Sequence, residues 1–278
     1  MDKFKIVADS SADITSLDGV KFSSAALKIV TNDDEFIDNE KLDVENMVNT
    51  LLKYKGKSST SCPNPEDWLK GFGDAEYIFC VTITGTLSGS YNTACIAKQM
   101  YESLYPDRKV FVLNSLTAGP EIKLIIERIA ELIKEGKEFE KICNEISKYR
   151  LKTGLIFMLE SMRNLANNGR VSTVTAKAAG LLGIRVVGKA SSKGDLEPLD
   201  KCRGEKKAID SIIERLRSEG YKGGRIRIAH CFNENVAKII KKRLTEEFDK
   251  IQIEVYKCRG LCSFYAEKGG LLVGFEKC

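Results

Sequence analysis

The stretch YIFCVTITGTLSGSYNTA, residues 77–94, decides the reading of this chain. Its first half is an apolar, β-branched run of strand length. Its second half is a cluster of glycines and hydroxyls, GTLSGS, leading into the helical pattern YNTACIAKQMYESLY. A buried strand that breaks into a small-residue turn and then a helix is the repeating unit of a parallel α/β sheet. The loop of that unit lies where such folds keep their ligand crevice. Thr86, Ser88 and Ser90 offer hydroxyls, Gly85 and Gly89 let backbone amides approach a ligand, and the helix N-terminus favours negative charge. That chemistry suits a small anion. The lysine of a GxxxxGK[ST] loop is missing and no GxGxxG follows the first strand, so nucleotide binding has only weak support.

Working outward, FKIVA at 4–8, ending in Asp9-Ser10-Ser11, and KVFVLN at 109–114 read as further strands. VENMVNTLLKYK and GPEIKLIIERIAELIKEG read as helices, the second with Pro120 near its start and Gly136 at its close. Strand and helix in alternation predict a parallel sheet with helices on both faces. From about residue 153 the pattern changes. TGLIFML, GIRVVGKAS, GRIRIAHCF, QIEVYKC and GGLLVGFEK are strand-like, with helices expected at KAAGLLG, EKKAIDSIIERLRSEG and NENVAKIIKKRLTEEF. The expected fold is therefore α/β with two domains. Residues 1–152 form a layered α/β/α unit on a parallel sheet, and residues 153–278 a two-layer α/β unit on a mixed sheet. No Pro- or Gly-rich linker marks the boundary, so the units are expected to pack closely around a cleft.

Composition removes several other answers. The 278 residues are 43% hydrophobic, enough for a full core, and the formal charge of +5 is spread along the chain rather than gathered in a stripe. Nucleic acid is not an expected partner. MDKFKIVADSS resembles no cleaved signal, and no 18 apolar residues occur together, so a cytoplasmic chain without a membrane span is expected. The nine cysteines are odd in number and scattered, as reduced thiols would be, and Cys258 and Cys262 lack a second pair. Neither a zinc site nor any other metal or cofactor is expected. His230 is the sole histidine.

A second hydroxyl cluster, KSSTSCPNPEDW, sets Ser58, Ser59, Thr60 and Ser61 before a proline turn and a helix start at Asn64 or Pro65. Two such loops would converge on one anion. Asp9, at the end of the first strand, reads as a loop brace, with a metal or acid role as the alternative.

The series ADSSADI at 8–14, TSCP at 60–63, TGTLSGSYNTA at 84–94, NNGRVS at 167–172 and IRVVGKASSKGDLEP at 184–198 resembles the DegV family of bacterial fatty-acid-binding proteins. The matches keep the family's order over nearly the whole chain. The resemblance implies two α/β domains holding one long-chain fatty acid in a tunnel between them. By the same resemblance Thr60 and Ser88 hold the carboxylate, Ser61 and Gly89 support them, and Arg170 supplies positive charge nearby. It further implies a carrier without catalytic turnover, serving a separate fatty-acid kinase related to dihydroxyacetone kinase, which makes an acyl phosphate. This sequence departs from the family in three places. AEKGG at 266–270 stands for a C-terminal HTGPG, with Ala266 at the histidine's place; Cys62 and Asn114 also differ from the usual residues.

Ile29, Phe157, Met158, Leu182 and Ile184 are candidate tunnel walls and, equally, ordinary core. The alternative function is a serine-dependent acyl hydrolase or transferase with Ser88 attacking and His230 as base. It lacks a GxSxG elbow and rests on one histidine.

Overall fold

The structure, a computed structural model, describes residues 3–172 and 183–277. The first part of the chain gives β1 (Phe4–Asp9), β2 (Lys21–Ala25), β3 (Lys28–Val30), β4 (Glu35–Ile37), α1 (Val44–Lys53), β5 (Ser59–Ser61), α2 (Pro65–Phe72), β6 (Tyr77–Thr82), α3 (Ser90–Leu104), β7 (Lys109–Asn114), α4 (Pro120–Lys134) and α5 (Phe139–Tyr149). It continues with β8 (Thr153–Leu159), α6 (Arg163–Asn167), β9 (Ile184–Ala190), β10 (Leu196–Arg203), α7 (Glu205–Ser218), β11 (Gly224–His230), α8 (Glu234–Glu247), β12 (Ile251–Lys257), α9 (Gly260–Ala266) and β13 (Leu271–Glu276). The helix expected at KAAGLLG and the candidate wall residue Leu182 lie outside the described residues, apart from Gly183.

The strand order β2-β1-β6-β7 makes a parallel sheet buried on both faces, which is why its strands read as unbroken apolar runs. Ile6 and Ala8 of β1, with Phe79 and Val81 of β6, share a core with α4 and α5. Val7, Ile78 and Cys80 point the other way and meet Trp68, Phe72, Ala97 and Tyr101 of α2 and α3. The start of α2 follows the sequence signal: Asn64 Oδ1 accepts from Asp67 N–H at 2.8 Å, and Asp67 Oδ2 accepts from Asn64 N–H at 3.1 Å.

The second sheet runs β10-β9-β8-β13-β11-β12, antiparallel except for the pair β11 and β12. Alternation sorts β8: Ile156 and Met158 share a core with α7 and α8, while Leu155, Phe157 and Leu159 face the opposite side. That opposite side carries α1, α9 and a small antiparallel sheet, β4-β3-β5, whose Ile29 enters the same cluster. The expected α/β/α layers and mixed two-layer sheet are both present. The small sheet is additional: three-residue strands carry too little periodicity to be read, and Ser59–Ser61, expected as loop, pairs with β3. Among the described residues no helix is long and apolar enough to cross a membrane, and no cluster of three or more His, Cys, Asp or Glu is set to hold a metal.

Candidate functional site

An apolar slot lies where the loops after β2, β6 and β7 meet the face of the larger sheet that carries α9. The loops supply Leu27, Ile83, Leu87 and Ala118; the sheet supplies Leu155, Phe157, Leu159, Leu196 and Leu272; α9 supplies Leu261, Cys262 and Ala266. This is the crevice expected at the carboxyl ends of parallel strands. Gly188 sits opposite Phe157 in the ladder, and a Cβ there would stand 2.3 Å from the Phe157 ring, so only glycine lets that ring lie across β9. The free volume is about 80 Å³, below the ~300–1,000 Å³ of a typical ligand pocket, so a long ligand must spread these walls.

Among the described residues the slot's polar groups are few: Thr60, Ser88, Arg170 and Tyr265. Thr60 reaches the slot because β5 is a strand. Alternation turns its side chain inward while Ser59 and Ser61 are exposed. Thr60 Oγ1 lies 2.7 Å from the Tyr265 hydroxyl. Ser88 Oγ accepts the Ser90 N–H at 3.2 Å, which leaves its own O–H free to donate. Arg170 Nε donates to Leu87 O at 3.0 Å and Nη1 to Asn168 O, tying the guanidinium to the GTLSGS loop. No carboxylate lies within ion-pair distance of it among the described residues. An uncompensated guanidinium beside hydroxyls at an apolar slot invites an anion with a greasy body.

Asp9 holds this loop from below. The carboxylate is fully buried and accepts from Ile83 N–H at 2.8 Å and Ser90 O–H at 2.6 Å through Oδ2, and from Ser11 N–H at 3.2 Å and Ser11 O–H through Oδ1. Burial pushes its pKa up while these bonds pull it back. The loop-brace reading of Asp9 is the one the geometry supports. It also removes Ser90 from the ligand inventory, and Thr86 is spent on Gly194 O at 2.8 Å.

The four polar groups thus comprise three expected residues and one that sequence reasoning missed. Ser61 is exposed and outside the slot lining. Gly89 is also outside; it caps α3, and a Cβ there would stand 3.2 Å from Cys62 Sγ. Of the wall candidates, Phe157 lines the slot, whereas Met158 faces the α7–α8 core, Ile29 is buried in the core and Ile184 lies off the slot. Tyr265 was missed because α9 has only seven residues and no readable periodicity. Burial pushes its phenol up, with smaller opposing effects from Thr60 and Arg170, so it stands as a neutral donor. Ser88 and His230 do not meet: His230 lines a separate cavity beyond α9, and the hydrolase pairing has no geometric support.

Comparison with known proteins bears on this geometry. Residues 3–277 match the family described as "Uncharacterised protein, DegV family". The chain belongs to the DegV family. A DegV domain-containing protein of Streptococcus pneumoniae is 43% identical over 277 residues, covering 98% of this chain and 99% of that one. Among solved structures, a DegV family protein from Eubacterium eligens loaded with heptadecanoic acid matches with TM-score 0.97 and 44% identity, covering 99% of this chain and 100% of that one. The Fatty Acid Kinase B3 protein of Streptococcus pneumoniae, loaded with linoleic acid, matches with TM-score 0.96 and 43% identity, covering 99% of each.

Within this DegV chain the departures from the family pattern have local answers. Asn114 Oδ1 accepts from Gly85 N–H at 3.1 Å and Leu116 N–H at 3.3 Å, so a neutral amide suffices to anchor the loop. Ala266 lines the slot, and the neighbouring Tyr265 puts a hydroxyl beside Thr60. Replacing Tyr265 by Phe is expected to weaken binding of a slot ligand's carboxylate by about 1 kcal/mol, roughly fivefold, with the fold intact. Calorimetric titration with oleate checks it, and unchanged affinity would remove Tyr265 from the head-group set.

Proposed function

We propose that this DegV chain binds one long-chain fatty acid in the slot and presents its carboxylate to a separate fatty-acid kinase subunit related to dihydroxyacetone kinase. The observation that carries the proposal is the guanidinium of Arg170, with no carboxylate in ion-pair distance among the described residues, set with Thr60, Ser88 and Tyr265 at an otherwise apolar slot. Thr60 and Ser88 donate to the carboxylate, Arg170 neutralises it, and Gly89 leaves room for Cys62 behind the loop. Ser61, exposed on β5, supports only through the strand. The loaded relatives from Eubacterium eligens and Streptococcus pneumoniae favour the same ligand class. Binding without turnover fits a Ser88 that has no base beside it among the described residues. The cysteines among the described residues are free of disulfides, most of them buried, which suits a cytoplasmic setting.

The energetics divide the work. About fifteen methylenes at ~0.8 kcal/mol each give on the order of 12 kcal/mol of gross driving force before ordering costs. The head group needs to be satisfied and oriented rather than to supply the affinity. We place the boundary between two units near residue 152, so that the fatty acid lies between them and small relative movements widen the slot.

Thr60→Ala and Ser88→Ala are each expected to weaken oleate binding by about 1–3 kcal/mol, since each loses a bond to a charged group. Calorimetry on the double variant tests the carboxylate assignment, and wild-type affinity in that variant would refute it.

A further inference from the structure

A second cavity, of about 330 Å³, opens at the carboxyl ends of the parallel strands β11 and β12. Helix α9 separates it from the slot: Ser263 lines the cavity, and Leu261, Cys262 and Tyr265 line the slot. Its strand-side wall is rich in donors. His230 ends β11 and is 3% exposed. The Asn233 N–H donates to His230 Nδ1 at 3.3 Å, and a nitrogen that accepts cannot carry the proton, so the neutral ring bears its hydrogen on Nε2. No group among the described residues accepts that hydrogen. Lys257 ends β12 and is exposed, with no carboxylate in ion-pair distance among the described residues. Arg259 follows it, its guanidinium donating to Asn39 O and lying 3.9 Å from Asp38. Helix α8 begins beside His230 without a side-chain cap, because Asn233 Nδ2 donates instead to Gly269 O at 2.6 Å.

The opposite wall is acidic. Asp43 caps α1 by accepting Asn46 N–H at 2.9 Å, and Glu45 is exposed next to it. Glu234, near His230, is paired with Lys238 at 2.8 Å, and Cys231 and Cys258 complete the lining. A ligand fitting both walls has an oxyanion at one end and an ammonium or hydroxyl at the other. Three kinds of donor on separate residues match the three terminal oxygens of a phosphate better than a planar carboxylate, which a single arginine fork satisfies. The volume lies in the range of small-ligand pockets.

We propose that this cavity is a second ligand site, for a small phosphate monoester bearing an amino or hydroxyl group, with His230 Nε2–H, Lys257 and Arg259 holding the phosphate. The site is independent of the fatty-acid reading. Because His230 is the sole histidine, its imidazole carbon–proton signals in an NMR spectrum of the full chain report on this cavity alone. Titration with O-phosphoethanolamine, or with inorganic phosphate, is expected to shift them saturably, with the amine-bearing probe the tighter. Acetate at matched ionic strength is expected to leave them in place. Lys257→Ala, an exposed change that leaves the fold intact, is expected to weaken phosphoethanolamine binding about tenfold. Shifts that acetate reproduces, shifts that never saturate, or a Lys257→Ala variant that binds as the wild type would overturn the proposal.

Discussion

Replacing Asp9 by Ala is expected to destabilise the protein by on the order of 4 kcal/mol and to lower its melting temperature by about 10 °C. The side chain is 1% exposed and is the acceptor for two backbone amides and two hydroxyls, from Ser11, Ile83 and Ser90. Alanine strands those donors in a dry interior, where each orphan costs about 1–3 kcal/mol, offset in part by relief of a buried charge. The effect reaches the ligand as well, because Ile83 and Ser90 bracket the GTLSGS turn that carries Ser88. Affinity for oleate should fall in the same variant even where it is still folded. Thermal unfolding monitored by circular dichroism checks the first part, and a shift of only a degree or two would mean that the turn holds itself without the brace.

The second large effect concerns Asp13 and pH. Asp13 follows the short turn Ser10–Ala12 in the left-handed region, φ 59, and is 6% exposed. Its Oδ1 accepts Arg259 N–H at 2.9 Å, but Oδ2 has no partner among the described residues, since the Cys262 thiol donates to Ser11 O at 3.4 Å. Burial raises the carboxyl from an ordinary 3.8 to about 7, with the neighbouring Asp38 adding to the rise. A raised carboxyl pKa means that the folded chain holds the proton where the unfolded chain has lost it. Its contribution is therefore fully present below about pH 4 and is lost as pH rises through 7. Three pH units correspond to on the order of 4 kcal/mol. Asn removes the titration and tolerates a positive φ. Asp13→Asn should match the wild type near pH 4 and become increasingly more stable than it toward pH 8.5, as read by chemical denaturation across that range. Parallel stability curves for the two proteins would show that Asp13 is solvated or paired as an anion.

Much of this was legible in the sequence, and the limits have physical causes. Parallel strands buried on both faces wrote continuous apolar runs, so FKIVA, YIFCVT and KVFVLN could be read at nearly their full lengths. The long amphipathic helices α4 and α7 announced themselves by period, and α4 also by Pro120 at its start and Gly136 just past its close. The three-residue strands β3, β4 and β5 could not, and with them went the alternation that separates Thr60 from Ser61. Hydroxyl-rich loops ahead of helices carry a chemical signature that drew out Thr60 and Ser88, whereas Arg170, in a turn, was named only through the resemblance to the DegV family. Tyr265 was missed, because its role depends on a pairing 205 residues distant from it in the chain. Cavity walls are harder still to read. On β8 the same apolar letters serve the slot at Phe157 and the ordinary core at Met158, and only the register of the sheet tells them apart.

The central claim is that the slot holds a long-chain fatty acid by its carboxylate. The most direct measurement is an intact native mass of the purified protein, paired with mass spectrometry of the lipid extracted from it. The account predicts one long-chain fatty acid per chain, retained by the wild type and depleted when Thr60 and Ser88 are both replaced by alanine. A protein that emerges empty, and that stays empty after incubation with a panel of saturated and unsaturated fatty acids, would contradict it.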